Sequence, residues 1–391
     1  MFASRTEWSQ VPNRLSHALE ERRRQALPIL DLTESNPTRC GFKFDSDAIL
    51  AALADPRSLS YDPQPRGLLA AREAIAAYYA ERGAHVDVER IFLTASTSEA
   101  YAQIFRLLGN PGDNILVPSP GYPLFEILGG LNDLEPISYP LAYDHGWHIQ
   151  METLRERVNA RTRAIVVVHP NNPTGSFVKN KKLESLLDCC RGSSLALIAD
   201  EVFADYAFES DGQRVTTHAP VADALTFTLS GLSKISALPQ MKLAWVVVNG
   251  PREQLQQALS RLEFIADAYL SVSAPVAHAL PTLLETRRGI QPQILARIRE
   301  NLRHLDARLA PGMPVSRLET EGGWYAVLRL PTTRSDDDWA IEFLSKDGVL
   351  VHPGHFYDFA SEGYVVLSLL PRRESFEEGI GKILARVAES D

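Results

Sequence analysis

Cysteine is scarce in this chain: Cys40, Cys189 and Cys190 are the only three among 391 residues, and two of them are adjacent. An odd count with a neighbouring pair argues against a disulfide framework and for a reducing compartment. Each thiol reads most simply as a small buried residue. Long apolar runs are also lacking, since no segment approaches the roughly 20 apolar residues that would span a bilayer. The opening M-F-A-S-R-T-E-W-S-Q is polar and leads to the charged run Glu20 to Arg24, so the apolar core of a secretion signal is missing. A cytoplasmic protein is expected, with no membrane partner. Excess positive charge is missing too. A formal net charge of −9 argues against nucleic acid as a partner, because phosphate contacts need a basic surface. Internal repeats and low-complexity tracts are absent.

What is present is ordinary globular material, with 45% hydrophobic and 23% charged residues, enough for a sizeable core. The length exceeds what one core usually serves, so two domains are expected. Residues 13–27 carry an amphipathic helical pattern, and D-L-T-E-S-N-P-T then reads as a short strand entering a turn at Asn36-Pro37. This is an arm, residues 1–45, expected to join a smaller α+β domain at residues 286–391. Between them, residues 46–285 form the large domain. Helical and strand patterns alternate there, with apolar strands at Arg90–Leu93, Asn114–Pro118, Ala164–His169, Leu195–Ala199, Leu225–Leu229 and Leu243–Val248. Runs such as A-I-V-V-V-H and L-A-L-I-A-D do not alternate, the pattern of strands covered on both faces. An α/β fold with a mostly parallel central sheet flanked by helices follows. A long helical stretch is expected to begin around Pro281 to Gln293. The strands W-Y-A-V-L-R-L and Y-V-V-L-S-L-L belong to the final segment.

In an open parallel sheet, ligands collect at the carboxyl ends of the strands, so the polar residues ending each strand are read together. After the first comes T-A-S-T-S-E-A, where Thr94, Ser96, Thr97 and Ser98 open a helical run. Such hydroxyls suit a phosphate at a helix N-terminus, and equally an ordinary N-cap. After the second comes P-S-P-G-Y-P-L-F, holding Tyr122 in a proline-bracketed turn where it could stack on a flat ring or simply pack. H-P-N-N-P-T-G then presents Asn171 and Asn172 from a fixed turn. The fourth strand ends in Asp200, an acid costly to bury without a positive partner. The fifth leads to S-G-L-S-K, from which Lys234 projects beyond a buried strand.

Pyridoxal phosphate explains this set. It needs a lysine for its aldehyde, a carboxylate to keep its ring nitrogen protonated, a polar group at its phenolic oxygen, an aromatic against its ring and a phosphate cup. Lys234, once displaced by a substrate amine, is then placed as the general base. No metal is implied. The ordered series Y-D-P-Q-P-R-G, P-S-P-G-Y-P, N-N-P-T-G, A-D-E-V-F and G-L-S-K resembles the class I/II aminotransferases of pyridoxal phosphate fold type I across nearly the whole chain. The resemblance implies that Lys234 is the Schiff-base lysine, Asp200 the ring-nitrogen partner, Asn172 the phenolate ligand and Tyr122 the stacking aromatic. It implies that Ser96, Thr97 and Ser98, with Ser233 and Lys242, belong to the cofactor site. Tyr61 matches a tyrosine reaching the phosphate bound in a neighbouring subunit, which implies a homodimer with shared active sites. Asn36-Pro37 resembles a substrate loop.

The departures are informative. Where the family usually has P-G-x-R-x-G-W this chain has P-Q-M-K-L-A-W, so Lys242 keeps the charge and loses the bidentate fork. A phosphate-binding serine is replaced by Gly231. Phe203 stands where a tyrosine hydroxyl usually reaches the phenolate, which should raise the pKa of the lysine–cofactor imine. In Y-V-V-L-S-L-L-P, Val366 takes the place of the arginine that clamps the substrate carboxylate. Arg372 and Arg373 follow soon after as candidate substitutes, although exposed surface is the commoner role of such residues. His355 and Tyr357, in H-P-G-H-F-Y-D-F, are candidates to reach substrate, with loop packing the favoured reading. The resemblance thus implies an aminotransferase acting on small-molecule amine and carbonyl substrates, with an atypical donor. A lyase or decarboxylase on the same machinery, or a drifted cofactor-binding protein, remain as alternatives.

Overall fold

The computed structural model describes residues 1–8, 11–270 and 272–389. The arm begins with the helix Arg14–Arg24, capped by the Asn13 side chain, which accepts the Ser16 N–H at 2.8 Å. It continues into β1 (Leu30–Asp31). Eight strands then build the central sheet: β2 (Ile91–Thr94), β3 (Asn114–Ser119), β4 (Glu135–Tyr143), β5 (Trp147–Ile149), β6 (Thr162–Val168), β7 (Ala196–Asp200), β8 (Thr226–Gly231) and β9 (Ala244–Asn249), in the order β2-β9-β8-β7-β6-β3-β4-β5. Six of them start within two residues of the apolar runs that foretold them. β6 through β9 are almost wholly buried, the consequence of helices on both faces.

The sheet is more mixed than expected. The pairings β4-β3-β6-β7-β8 are parallel, whereas β9 runs against both β2 and β8, and β5 runs against β4. The β4–β5 case has a simple cause: the turn at 144–146, with His145 and Gly146 at positive φ, is too short to carry a parallel crossover. β4 and β5 escaped the sequence reading because Pro136 and Pro140 interrupt β4, and proline in a run argues against a strand.

The C-terminal part adds β10 (Ser316–Arg317), β11 (Tyr325–Arg329), β12 (Val349–Leu350), β13 (His352–Pro353) and β14 (Tyr364–Ser368). Four of these form a sheet in the order β10-β11-β14-β13, while β12 pairs in parallel with β1 of the arm. Arm and C-terminal segment share one core, in which Leu15 and Leu32 pack with Ile294, Trp324, Val349 and Phe376. The helical stretch expected near Pro281 starts earlier, at Ala274, and Pro281 lies inside that helix; a second helix, Arg287–Arg308, follows. Proline is favoured at helix starts, which misplaced the boundary.

Candidate functional site

Asp200 closes β7 and is 5% exposed. Its Oδ1 accepts the Val202 N–H at 3.1 Å and its Oδ2 accepts the Tyr101 hydroxyl at 3.1 Å. Burial pushes its carboxyl up to about 6, against the pull of those two donors and of Lys234. Among the described residues Asp200 forms no ion pair. Lys234 follows β8 on the short helix Leu232–Ile235, and its carbonyl accepts the Tyr206 hydroxyl at 2.6 Å. Its Nζ lies 4.8 Å from the ring centre of Trp324 and 5.3 Å from that of Phe203. Desolvation lowers its ammonium from 10.5 to about 8, opposed by the charge of Asp200.

The aromatic wall around Lys234 is built by sequence-distant residues. Trp324 stands edge-on to Phe203 at 5.2 Å and to Tyr206 at 5.1 Å, is fully buried, and leaves its Nε1 without a partner among the described residues. Tyr122 sits in the turn after β3, edge-on to Phe125 at 5.8 Å, and burial with the nearby charge of Asp200 pushes its phenol up to about 12. Asn171 is spent on its own turn: its Oδ1 accepts from Thr174, and its Nδ2 donates to the Pro120 carbonyl at 3.4 Å. Asn172, 8% exposed, has a buried Oδ1 with no partner.

Of the hydroxyl cluster, Ser96 does the capping work. Ser96 Oγ accepts the Glu99 N–H at 3.1 Å and Glu99 Oε2 accepts the Ala95 N–H at 2.7 Å, a reciprocal capping box for the helix Thr97–Leu108. Thr97 and Ser98 remain at that helix N-terminus. Lys242 is exposed, in the left-handed region at φ 52°. Ser233 is half-buried beside Lys234. Gly231 has a steric reason: a β-carbon there would lie 2.9 Å from Cβ of Ala244, its partner across β8 and β9. Tyr61 is 79% exposed and lines a separate cavity of about 230 Å³ with Gln64, Val272 and His278.

Val366 lies on β14 between Val327 of β11 and His352 of β13, and is 1% exposed. Strand alternation places it on the same face as Ser368 and its partner Tyr325. That face looks to the arm: Ser368 Oγ donates to the Glu34 carbonyl at 2.7 Å, and the Tyr325 hydroxyl bonds Ser35. Beside Val366, His352 Nδ1 and the Tyr357 hydroxyl share a hydrogen bond of 3.0 Å, and burial lowers the pKa of His352. Arg372 is exposed and lies against Gly41, and Arg373 pairs with Glu300 at 2.8 Å and Glu377 at 2.6 Å on the surface. His355 is likewise exposed, 3.8 Å from Asp337. The Asn36 Oδ1 accepts from Thr38, capping the turn Pro37–Arg39.

The structure therefore gathers Lys234, Asp200, Tyr122 and Phe203, and leaves Tyr61, Arg372 and His355 on the surface of the single chain. Tyr101, Trp324, Tyr325 and Ser35 were not singled out from sequence. Tyr101 had a weak signal, four residues after Thr97 and so one helical turn along the same face. Pyridoxal phosphate fits what is present. A buried carboxylate in no ion pair among the described residues, a desolvated lysine and the unpartnered Asn172 Oδ1 lie at strand ends that converge, and buried polar atoms of this kind call for a ligand. Asp200 would hold the ring nitrogen, Lys234 the aldehyde carbon, Asn172 the phenolic oxygen and Tyr122 the ring face.

Comparison with known proteins adds the family. The sequence model described as aminotransferase class I and II matches residues 28–373. Glutamate-pyruvate aminotransferase AlaA of Haemophilus influenzae is 28% identical over 364 residues, covering 91% of this chain and 89% of that protein. Alanine aminotransferase of Mycobacterium tuberculosis is 28% identical over 353 residues, covering 88% and 82%. Among solved structures, an aminotransferase from Escherichia coli superposes with a TM-score of 0.86 at 25% identity over 99% of this chain and 98% of that one. An alanine aminotransferase from Pyrococcus furiosus gives 0.87 at 21% identity over 100% of both chains, a likeness of fold.

Proposed function

This chain belongs to the class I and II aminotransferases, and we propose that the donor it deaminates is not held through its α-carboxylate by an arginine fork. The enzyme is pyridoxal phosphate-dependent and moves an amino group from a donor to a carbonyl acceptor. The bound cofactor supplies the electron sink that makes the donor's α-proton removable. Asp200 would hold the proton on the cofactor's ring nitrogen. Lys234, its ammonium lowered toward neutrality by its desolvated aromatic surroundings, would take up the donor's α-proton as the general base. Phe203 and Trp324 keep water from that transfer.

One observation supports the substrate reading: Val366, which the sequence resemblance sets where the family has its carboxylate-gripping arginine, is 1% exposed among the neutral groups Tyr325, Ser368 and His352. Neutral hydrogen-bonding groups suit a donor whose carbon next to the amine bears an amide, hydroxyl or aromatic group as well as they suit a carboxylate. The test is a donor panel of free amino acids, among them the alanine and glutamate that its relatives' names suggest, their amides and plain amines, followed through loss of the cofactor's visible absorbance. Turnover of uncharged donors within about tenfold of the matching acids is expected, since two charge-assisted bonds are worth much more than that. Lys234→Ala should leave every donor unprocessed. A spectrum unmoved by any donor would overturn the catalytic reading.

A homodimer is the second part of the proposal. Leu59, Tyr61, Leu69 and Leu270 are exposed at or beside segments that line the cavity holding Tyr61, and Phe264 is exposed on the helix whose Glu263 pairs with Arg66 at 2.7 Å. Exposed apolar side chains grouped in this way suit an interface between copies. Tyr61 on it is then free to enter the site of a second copy. The three cysteines, free and buried, suit a reducing compartment, and we place the enzyme in the cytoplasm.

A further inference from the structure

We propose that Tyr101 is a positioning residue for the reaction: its hydroxyl keeps the Asp200 carboxylate ionised and turned toward the ring nitrogen of the cofactor. The proposal rests on the reading of Asp200 as the ring-nitrogen partner.

Tyr101 is 1% exposed and packs against Phe105 at 5.6 Å and Phe125 at 5.5 Å. A phenylalanine would fill that space equally well. The hydroxyl is the difference, and its hydrogen bond is to Asp200 Oδ2 at 3.1 Å. With Oδ1 taken by the Val202 N–H, the carboxylate is gripped at both oxygens and cannot rotate, while an ionised carboxylate keeps about two further lone-pair directions for a ligand N–H.

The groups that face Asp200 show why a donor is needed. Tyr101 approaches from the helix Thr97–Leu108, Tyr122 from the turn after β3, and Lys234 from beyond β8. Glu201 is next in the chain and its charge opposes ionisation of Asp200, although its own oxygens are engaged by Thr217 at 2.7 Å and by the His218 N–H and Nδ1 at 2.6 and 2.8 Å. Burial already pushes the Asp200 carboxyl up to about 6. A hydrogen bond to the charged form acts in the opposite sense. Without the phenol, a larger share of Asp200 would be protonated near neutrality, and a protonated acid cannot hold the proton on the ring nitrogen.

The test is cofactor affinity of the apoprotein as a function of pH, read from quenching of tryptophan fluorescence, with circular dichroism to verify folding. For Tyr101→Phe the acid limb of affinity should move up by about one pH unit, the worth of one hydrogen bond to a charged group. Tyr101→His, which keeps a donor on a smaller ring, should recover part of the shift. An unmoved limb, or a loss of affinity equal at every pH, would overturn the proposal. Should Tyr101→Phe not fold, the same limb is read in the full chain carrying fluorotyrosine, whose more acidic phenol donates more strongly: a lowered limb supports the proposal and an unmoved one contradicts it. Because binding is read without turnover, failure here is distinct from failure to find an amino donor.

Discussion

Lys234 is the general base in the proposed function, and its environment would set its working pH. Desolvation among Phe203, Trp324 and Tyr206 lowers its ammonium to about 8, while the Asp200 charge resists. A base must be neutral to accept a proton, so single-turnover deamination should quicken as pH rises through about 8 and level off above it. Trp324→Leu should move this limb upward, because a cation gains from an aromatic face less than it loses from burial, and Leu opens the wall to water. Rates that fall across the same interval would contradict the assignment. At this scale local pattern was enough to single out Asp200, which closes β7, and Lys234, which follows β8 by three residues. It was silent on Tyr101 and Trp324, whose roles depend on contacts with residues 99 and 90 positions away.

At the scale of elements, strands β7 and β8 deliver the acid and the lysine side by side because they pair in parallel, Asp200 opposite Leu229. The missing serine at 231 follows from the same sheet. Ala244 on β9 occupies the space a side chain at 231 would need, so Gly231→Ser should lower stability by about 1 to 3 kcal/mol through overpacking. Adding Ala244→Gly should restore part of the melting temperature by removing the nearest contact, while the Ala244 Cα at 3.0 Å and the Leu243 carbonyl at 3.1 Å still crowd the new side chain. A double variant no more stable than Gly231→Ser would refute the steric account. Fully apolar strands were legible because burial on both faces leaves a continuous pattern. β4 was not, because its prolines mask it, and the start at Ala274 was hidden by the proline inside that helix.

The whole molecule joins the two ends of the chain. β1 pairs with β12 and the arm packs into the C-terminal core, which sets Ser35 beside Tyr325 and Glu34 over Ser368. That long-range closure is why Ser35 and Tyr325, unlike Val366, were not singled out by local pattern. The exposed apolar segments around Tyr61 extend the argument to two copies. Sedimentation should find a dimer, and Phe264→Glu should yield a monomer with weakened cofactor retention, since a charge would be buried unpaired at the interface. A wild-type monomer that retains its cofactor would refute shared sites.

In the proposed function, neutral groups face the donor in place of an arginine. The most direct measurement is kcat/KM for an L-amino acid against its own amide, in the wild type and in Val366→Arg. Discrimination within about tenfold in the wild type, shifting toward the acid by roughly a hundredfold in the variant, is the predicted result. A wild-type preference for the acid already above about a hundredfold, unchanged by Val366→Arg, would show that the carboxylate is gripped elsewhere.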